Sequence, residues 1–224
     1  GTLHISTYWT MYVLGGLSMG YLLVRHRDRY SLSVPKALLF TLLLALCGLT
    51  GAKLLSFLEN GFVWGGVSFF GSVFLIPPLM GLLGLLFGLR PGQSLDACAP
   101  CVAVMIAFMR FGCFLNGCCG GWEMVLGDFR FFWPTQAMES IGDFCILALL
   151  LRMEERNGHP GMRYAIFMVT YSFLRFFVEF LRDTPKEWLG LGHGQWFAVI
   201  SCLIGGAFLL RERRAEKKQY LEEK

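Results

Sequence analysis

Arg110 stands near the end of a long apolar run and leads into a turn holding Gly112, Cys113, Asn116, Gly117, Cys118, Cys119, Gly120 and Gly121. A charged side chain at membrane depth costs roughly 2.5–3.5 kcal/mol on insertion scales, so one that is kept there usually works. Glycine lets backbone N–H groups approach a ligand closely. Successive N–H groups in such turns form an anion nest. The combination predicts an anion site made of a guanidinium and backbone amides. A purely structural alternative stands beside it, in which Arg110 snorkels to the interface and Asn116 caps a helix end.

A second set lies at Tyr171, Arg175, Glu179 and Arg182, at steps of four, four and three. At about 100° per residue these side chains fall within an arc of about 80° on one helix. Phe173, Phe176, Phe177, Val178 and Phe180 fill the other faces. Arg175 and Glu179 are spaced to pair, which orients the guanidinium. A structural ion pair explains those two residues but leaves Tyr171 and Arg182 without a task. A third set is Trp133 to Ser140, where Pro134 suits a first helical turn. Gln136 and Glu139 share one face there, and an N-terminal cap accounts for them nearly as well as a site does.

Cysteine gives a third kind of chemistry. Cys98 and Cys101 form a CxxC on one helix face, and Cys113 with the adjacent pair Cys118 and Cys119 lies beyond them. Such thiols fit a thiol–disulfide exchanger or a soft-metal site. Cys98 and Cys101 would stand about 18–23 Å from Cys113 along a straight helix, so the two groups cannot share one site. Helix packing is the simpler expectation for Cys98, Cys101, Cys47, Cys145 and Cys202. Cys118 and Cys119 retain a possible thiol role at the mouth of the site.

The elements that must position these residues are membrane spans. Of 224 residues, 55% are hydrophobic and only 16% charged, with mean hydropathy +0.53. Soluble domains usually carry about 25% charged residues. A span needs about 20 mostly apolar residues. Seven candidates fit, at about 8–24, 36–58, 67–89, 95–115, 134–151, 163–181 and 195–210, in a single transmembrane domain. The third contains Pro77-Pro78 and predicts a broken helix or a re-entrant arm. The expected fold class is therefore all-α and polytopic.

The residues from Gly1 to Trp9 lack the basic region of a secretory signal, so the first apolar segment is expected to stay as a span. Arg25, Arg27, Arg29, Lys36, Arg90, Arg152, Arg156, Arg163 and the basic tail 211–224 fall on one side. Arg130, Arg182 and Lys186 fall on the other. The positive-inside rule then predicts an outward N-terminus and a cytoplasmic C-terminus. The net charge of +4 comes from short loops and the tail, and forms no nucleic-acid patch.

Taken in order, the three polar sets resemble the prolipoprotein diacylglyceryl transferase family over about residues 8–210. The family signature G-R-x-G-N-F-x-N-G-E-x-x-G reads here Met109-Arg110-Phe111-Gly112-Cys113-Phe114-Leu115-Asn116-Gly117-Cys118-Cys119-Gly120-Gly121. Its D-x-x-A-P appears as Asp96, Ala99 and Pro100. Its H-P-S/T-Q-x-x-E appears as Trp133, Pro134, Thr135, Gln136 and Glu139. Its Y-x-x-x-R-x-x-x-E-x-x-R is intact from Tyr171 to Arg182 and is followed by Gly194-Gln195. Tyr8 matches the tyrosine that opens the first span.

The resemblance implies a bacterial inner-membrane enzyme. Such an enzyme moves the diacylglyceryl group of phosphatidylglycerol, or a related anionic phospholipid, onto the cysteine thiol of a lipobox-containing precursor. It also implies that Arg110 and Arg175 hold phosphate and that Glu179 orients Arg175. Tyr8, Asn116, Gly121, Gln136, Tyr171 and Arg182 would order the lipid headgroup. No metal or organic cofactor is implied. The expected cavity opens to the outer half of the membrane, with Arg110, Asn116, Tyr171, Arg175 and Glu179 at its wall. Phe70 stands where the family's G-G-x-x-F-H-G-G arm has a histidine, and Cys113 and Cys118 replace the signature Asn and Glu. His4, His26, His159 and His193 fall in terminal or loop segments. Two alternatives follow from these departures: a non-catalytic anionic-lipid-binding paralogue, and a thiol-redox membrane protein.

Overall fold

The computed structural model describes residues 7–154, 159–186 and 189–222, with side chains 126, 154 and 213–222 excluded. His4 and Arg156 therefore lie outside the described residues, as do the tail side chains beyond Glu212. The fold is mostly helical. In order come α1 (Thr7–Arg25), α2 (Val34–Glu59), α3 (Phe69–Leu83), α4 (Pro91–Leu115), a hairpin of β1 (Glu123–Leu126) and β2 (Phe129–Phe132), α5 (Thr135–Glu154), α6 (Met162–Glu179) and α7 (His193–Glu222). Two short 3-10 turns follow α1 and α3.

Four helical stretches are long and apolar enough to cross a membrane: Val34–Glu59, Phe69–Phe87, Pro91–Leu115 and His193–Glu212. The polar load separates the rest. α5 carries Glu139, Asp143 and Arg152, α6 carries Arg163, Arg175 and Glu179, and α1 is rich in tyrosine and glycine. Leu38, Leu42, Leu46 and Leu49 on α2 are all exposed, a leucine stripe along that helix. A surface of that kind suits lipid.

α4 is the central helix and packs against α1, α3, α5 and α6. Its small, apolar middle, from Ala97 to Ala107, is almost wholly buried. At its start, Asp96 caps the next-but-one helix. Its carboxylate accepts from the backbone N–H of Gly161 at 2.8 Å, of Arg163 at 2.9 Å and of Tyr164 at 3.3 Å, all in the first turn of α6. Three otherwise orphan N–H groups are thus satisfied from another element.

Pro77 and Pro78 lie within α3, which runs on unbroken past them. Proline has no N–H, so Pro77 leaves the Val73 carbonyl without its helical donor. The Tyr164 hydroxyl donates to that carbonyl at 3.0 Å. A neighbouring helix has replaced the missing bond, which is how proline is tolerated in such helices.

The mostly helical fold fits the all-α expectation, and residues 123–132 add one antiparallel hairpin, Glu123 facing Phe132 and Leu126 facing Phe129. The tip is Gly127-Asp128, with Gly127 at φ +63°, the left-handed conformation a tight hairpin turn requires. His193 is not in a loop, because it opens α7.

Candidate functional site

Glu139 is the hub. It sits one turn into α5 and is 3% exposed. Arg110 from α4 forms an ion pair with its Oε2. Arg175 Nη1 from α6 lies 2.6 Å from its Oε1, and Arg182 Nη1 lies 3.4 Å from the same oxygen. Arg175 Nη1 is also 2.7 Å from Glu179 Oε2, the pairing expected within α6. Thr184 Oγ1 donates to the other Glu179 oxygen at 3.0 Å. Three guanidinium groups thus surround two carboxylates in direct contact, an excess of one positive charge. Burial, with Arg175 and Arg110 close by, lowers the Arg182 pKa from its ordinary value.

The sequence folds this way because the polar positions of three helices meet at one level. Tyr171, Arg175 and Glu179 recur on one face of α6. Arg110 sits in the last turns of α4, and Glu139 in the first turns of α5. Ser140 Oγ donates to the Ala107 carbonyl at 2.9 Å and fastens α5 to α4 beside the pair. Asp143 lies one turn deeper than Glu139 and is fully buried. The sequence places Glu139 in the third polar set without assigning it a role, and Asp143 is not raised there. The available signal was an acid pair at i, i+4 in a helix otherwise apolar toward its end.

A cavity of about 730 Å³ opens beside this cage. Tyr8, Arg110, Asn116, Arg175 and Arg182 line it, together with apolar residues of α1, α2, α3 and α4. One wall is therefore cationic and the rest greasy. Two residues expected at the wall stand behind it: Tyr171 and Glu179 are buried, 2% and 3% exposed, and do not line the cavity. Tyr171 packs against Phe69, Phe70 and Phe167. Glu179 holds Arg175 from behind. Gln136 is also set back; its amide donates to the Cys118 carbonyl at 2.5 Å. Tyr8 packs against Tyr12 with its ring tilted, the centroids 5.4 Å apart.

Gly121 does a backbone task. Its N–H donates to the Trp133 carbonyl at 2.9 Å, and Trp122 N donates to the Leu181 carbonyl at 3.0 Å. Gly121 and Arg182 form an isolated antiparallel bridge. A Cβ at Gly121 would collide with the Leu181 carbonyl, so only glycine fits. The turn after α4 is thereby sewn to the segment that carries Arg182.

The same turn gathers three thiols. Cys113, Cys118 and Cys119 place their Sγ atoms within 4.8 Å of one another, and all three line the cavity. Gly117 (φ +67°) and Cys119 (φ +64°) adopt left-handed conformations that fold the chain back on itself. A hydrogen bond from the Cys113 thiol lowers the Cys119 pKa most, and Cys118, Arg182 and Arg110 add to it. Against the upward push of desolvation, they hold that thiol at about 5, well below an ordinary cysteine. Cys98 and Cys101 take no part. Both are buried in the α4 core, with Cys101 Sγ 3.7 Å from the Met19 carbonyl.

Phe70, in the place of the family histidine, is 3% exposed and packed against Tyr171, Phe74 and Phe197. Phe70 lines the cavity as part of its apolar wall, and no histidine among the described residues does.

An arginine cage set against a largely apolar cavity and carried on apolar helices marks a membrane protein with a cationic site. The profile of the prolipoprotein diacylglyceryl transferases matches residues 1–211. The chain belongs to that family, whose members are transferases. It is similar to phosphatidylglycerol–prolipoprotein diacylglyceryl transferase 2 of Clostridium perfringens, with 29% identity covering 99% of this chain and 96% of that one. The corresponding transferase of Ehrlichia ruminantium strain Welgevonden is 26% identical, covering 95% of this chain and 94% of its own. That of Bordetella avium is 31% identical over 72% of this chain and 67% of its own.

Proposed function

We propose that this chain is a seven-span inner-membrane enzyme, in one transmembrane domain, with its N-terminus outside and its C-terminus in the cytoplasm. It moves the diacylglyceryl group of phosphatidylglycerol to the cysteine thiol of a prolipoprotein. The observation that carries this reading is the cage of Arg110, Arg175 and Arg182 around Glu139, open on one side to an apolar cavity. A phosphodiester carries one negative charge, which matches the single surplus positive charge of the cage. The acyl chains would occupy the apolar part of the cavity.

In the reaction, the acceptor sulfur forms a bond to the glyceryl carbon that carries the phosphate ester. The carbon–oxygen bond breaks, and glycerol phosphate leaves with the electron pair. Negative charge grows on the departing phosphate, where fixed guanidinium groups stabilise it most. Arg110 and Arg175 hold that phosphate, and Glu139 and Glu179 fix their direction. Tyr8, Asn116 and Arg182 reach the headgroup from the cavity wall. Tyr171, Gln136 and Gly121 support these groups from behind.

Phe70 favours one second reading, because an aromatic ring cannot take the thiol proton: a paralogue that binds anionic lipid without turning it over. The test uses the purified full chain in detergent, headgroup-labelled phosphatidylglycerol and a lipobox peptide. Release of glycerol phosphate that falls about 100-fold in Arg110→Ala establishes the transferase. Stable lipid binding with no release establishes the binder.

A further inference from the structure

The reaction needs a thiolate, and Phe70, which cannot take a proton, stands where the family arm has a histidine. The same cavity holds three thiols that the mechanism above does not use. Their Sγ atoms lie within 4.8 Å of one another, a spacing from which one ion can be reached by all three. A tetrahedral zinc thiolate has Zn–S bonds of about 2.3 Å, which places neighbouring sulfurs roughly 4 Å apart. The Sγ of Cys113 comes from the last turn of α4, and those of Cys118 and Cys119 come from the turn beyond it. No fourth His, Cys, Asp or Glu joins the group among the described residues. Three protein ligands with one position left open is the pattern of a catalytic zinc site, whereas structural sites close with four.

We propose that Cys113, Cys118 and Cys119 bind a thiophilic d10 ion, zinc(II), whose open fourth position faces the cavity and takes the acceptor thiol. This inference rests on the transferase reading of the same cavity. Coordination to a metal deprotonates a thiol outright. The balance is simple: the acceptor thiol binds the ion as thiolate and gives its proton to water. Its sulfur then attacks the glyceryl carbon, the carbon–oxygen bond breaks, and the thioether leaves the metal as glycerol phosphate departs. Nothing is oxidised or reduced. Three cysteine thiolates and a fourth from the substrate leave the zinc centre with two negative charges. Arg110 and Arg182 line the same cavity, and the cage's one surplus positive charge offsets part of it.

The arrangement is held from outside the cluster. Gln136 Nε2 donates to the Cys118 carbonyl at 2.5 Å, and Thr135 Oγ1 donates to the Cys119 carbonyl at 3.3 Å. The first turn of α5 thus fixes the backbone of both neighbouring cysteines. Outer partners of this kind are a regular part of metal sites.

The test is metal analysis of the full chain, purified in detergent with zinc present and then dialysed. The expected result is about one zinc per chain, falling at least about 10-fold in Cys118→Ser and in Cys119→Ser and unchanged in Cys145→Ser. Cobalt(II) loaded into the wild-type chain provides a second readout that no variant has to survive. Its sulfur charge-transfer bands should shift when a lipobox peptide is added, and stay still with the peptide's cysteine changed to serine. A wild-type chain without bound metal, a cluster recovered as a disulfide, or cobalt bands indifferent to the peptide thiol would overturn the assignment. The two readings fail separately. Glycerol phosphate release that survives complete metal removal sinks the zinc site and spares the transferase. Zinc bound as expected with no release sinks the transferase and spares the metal.

Discussion

The Arg175 guanidinium lies 2.6 Å from the Glu139 carboxylate on the neighbouring helix, and 2.7 Å from Glu179 on its own. It is held from two sides and cannot swing. Removing one partner of a buried ion pair costs about 3–5 kcal/mol, because a charge is left uncompensated. Glu139→Gln keeps the volume and removes the charge. The cage then becomes more positive but loses the carboxylate that aims three arginines. Glycerol phosphate release should fall about 100-fold in kcat, while KM for phosphatidylglycerol does not rise. Steady-state kinetics decide it; a raised KM with kcat intact would mean that Glu139 serves lipid binding instead.

Cys119 gives a prediction about pH. Its thiol is held at about 5, so the thiolate predominates above that pH. In metal-free protein its alkylation by iodoacetamide should be nearly independent of pH from about 6 to about 8. An ordinary thiol reacts about tenfold faster per pH unit until about 8.5. Peptide mass spectrometry can follow Cys119 against a free cysteine peptide in the same sample. An inflection for Cys119 near about 8.5 would contradict the thiol geometry.

Tyr164→Phe removes the one donor that replaces the N–H missing at Pro77. A buried carbonyl left without a partner costs roughly 1–3 kcal/mol. The variant should unfold at a lower temperature in detergent, and its kcat at low temperature should stay near the wild-type value. A wild-type melting temperature would mean that water already reaches Val73.

Gly121→Ala forces a Cβ against the Leu181 carbonyl. The turn and the segment after α6 must then separate, and Arg182 moves with that segment. Release of glycerol phosphate should drop at least about 10-fold, whereas Gly127→Ala at the hairpin tip should leave it near wild type. Equal effects of the two substitutions would show that Gly121 matters only for folding.

Much of this site was legible in the sequence, and the reasons differ by residue. The stripe from Tyr171 to Arg182 is local, so helical periodicity alone puts Tyr171, Arg175 and Glu179 on one face of α6. Arg110 was conspicuous because charge is costly in an apolar run. Glu139 was not, since a carboxylate in a first helical turn reads as a cap; only its three partners from other elements reveal the hub. Asp96 was legible as a motif but not as the cap of α6, a relation across sixty-odd residues that no local pattern carries. The hairpin was missed because its strands are four residues each and Val125, Phe129, Phe131 and Phe132 are exposed, with no buried alternation to mark a strand. Gly127-Asp128 was the signal for it.

Among the described residues, the hydrogen bonds that fasten the segment between α2 and α3 run to α2. Ser56 Oγ donates to the Gly65 carbonyl at 2.5 Å, Lys53 Nζ to the Gly66 carbonyl at 3.1 Å, and Ser68 N to the Ala52 carbonyl at 3.0 Å. Gly51 and Gly71 bring the backbones of α2 and α3 into direct contact just beside it. Across the cavity, Phe69 and Phe70 meet Tyr171 and Phe197 through ring faces and edges only. The polar ties between α3 and the far wall sit deeper, at Val73–Tyr164 and Met80–Ser94. α2, its loop and the start of α3 therefore form one polar-tied unit, which meets the far wall through aromatic rings beside the cavity and through hydrogen bonds deeper down.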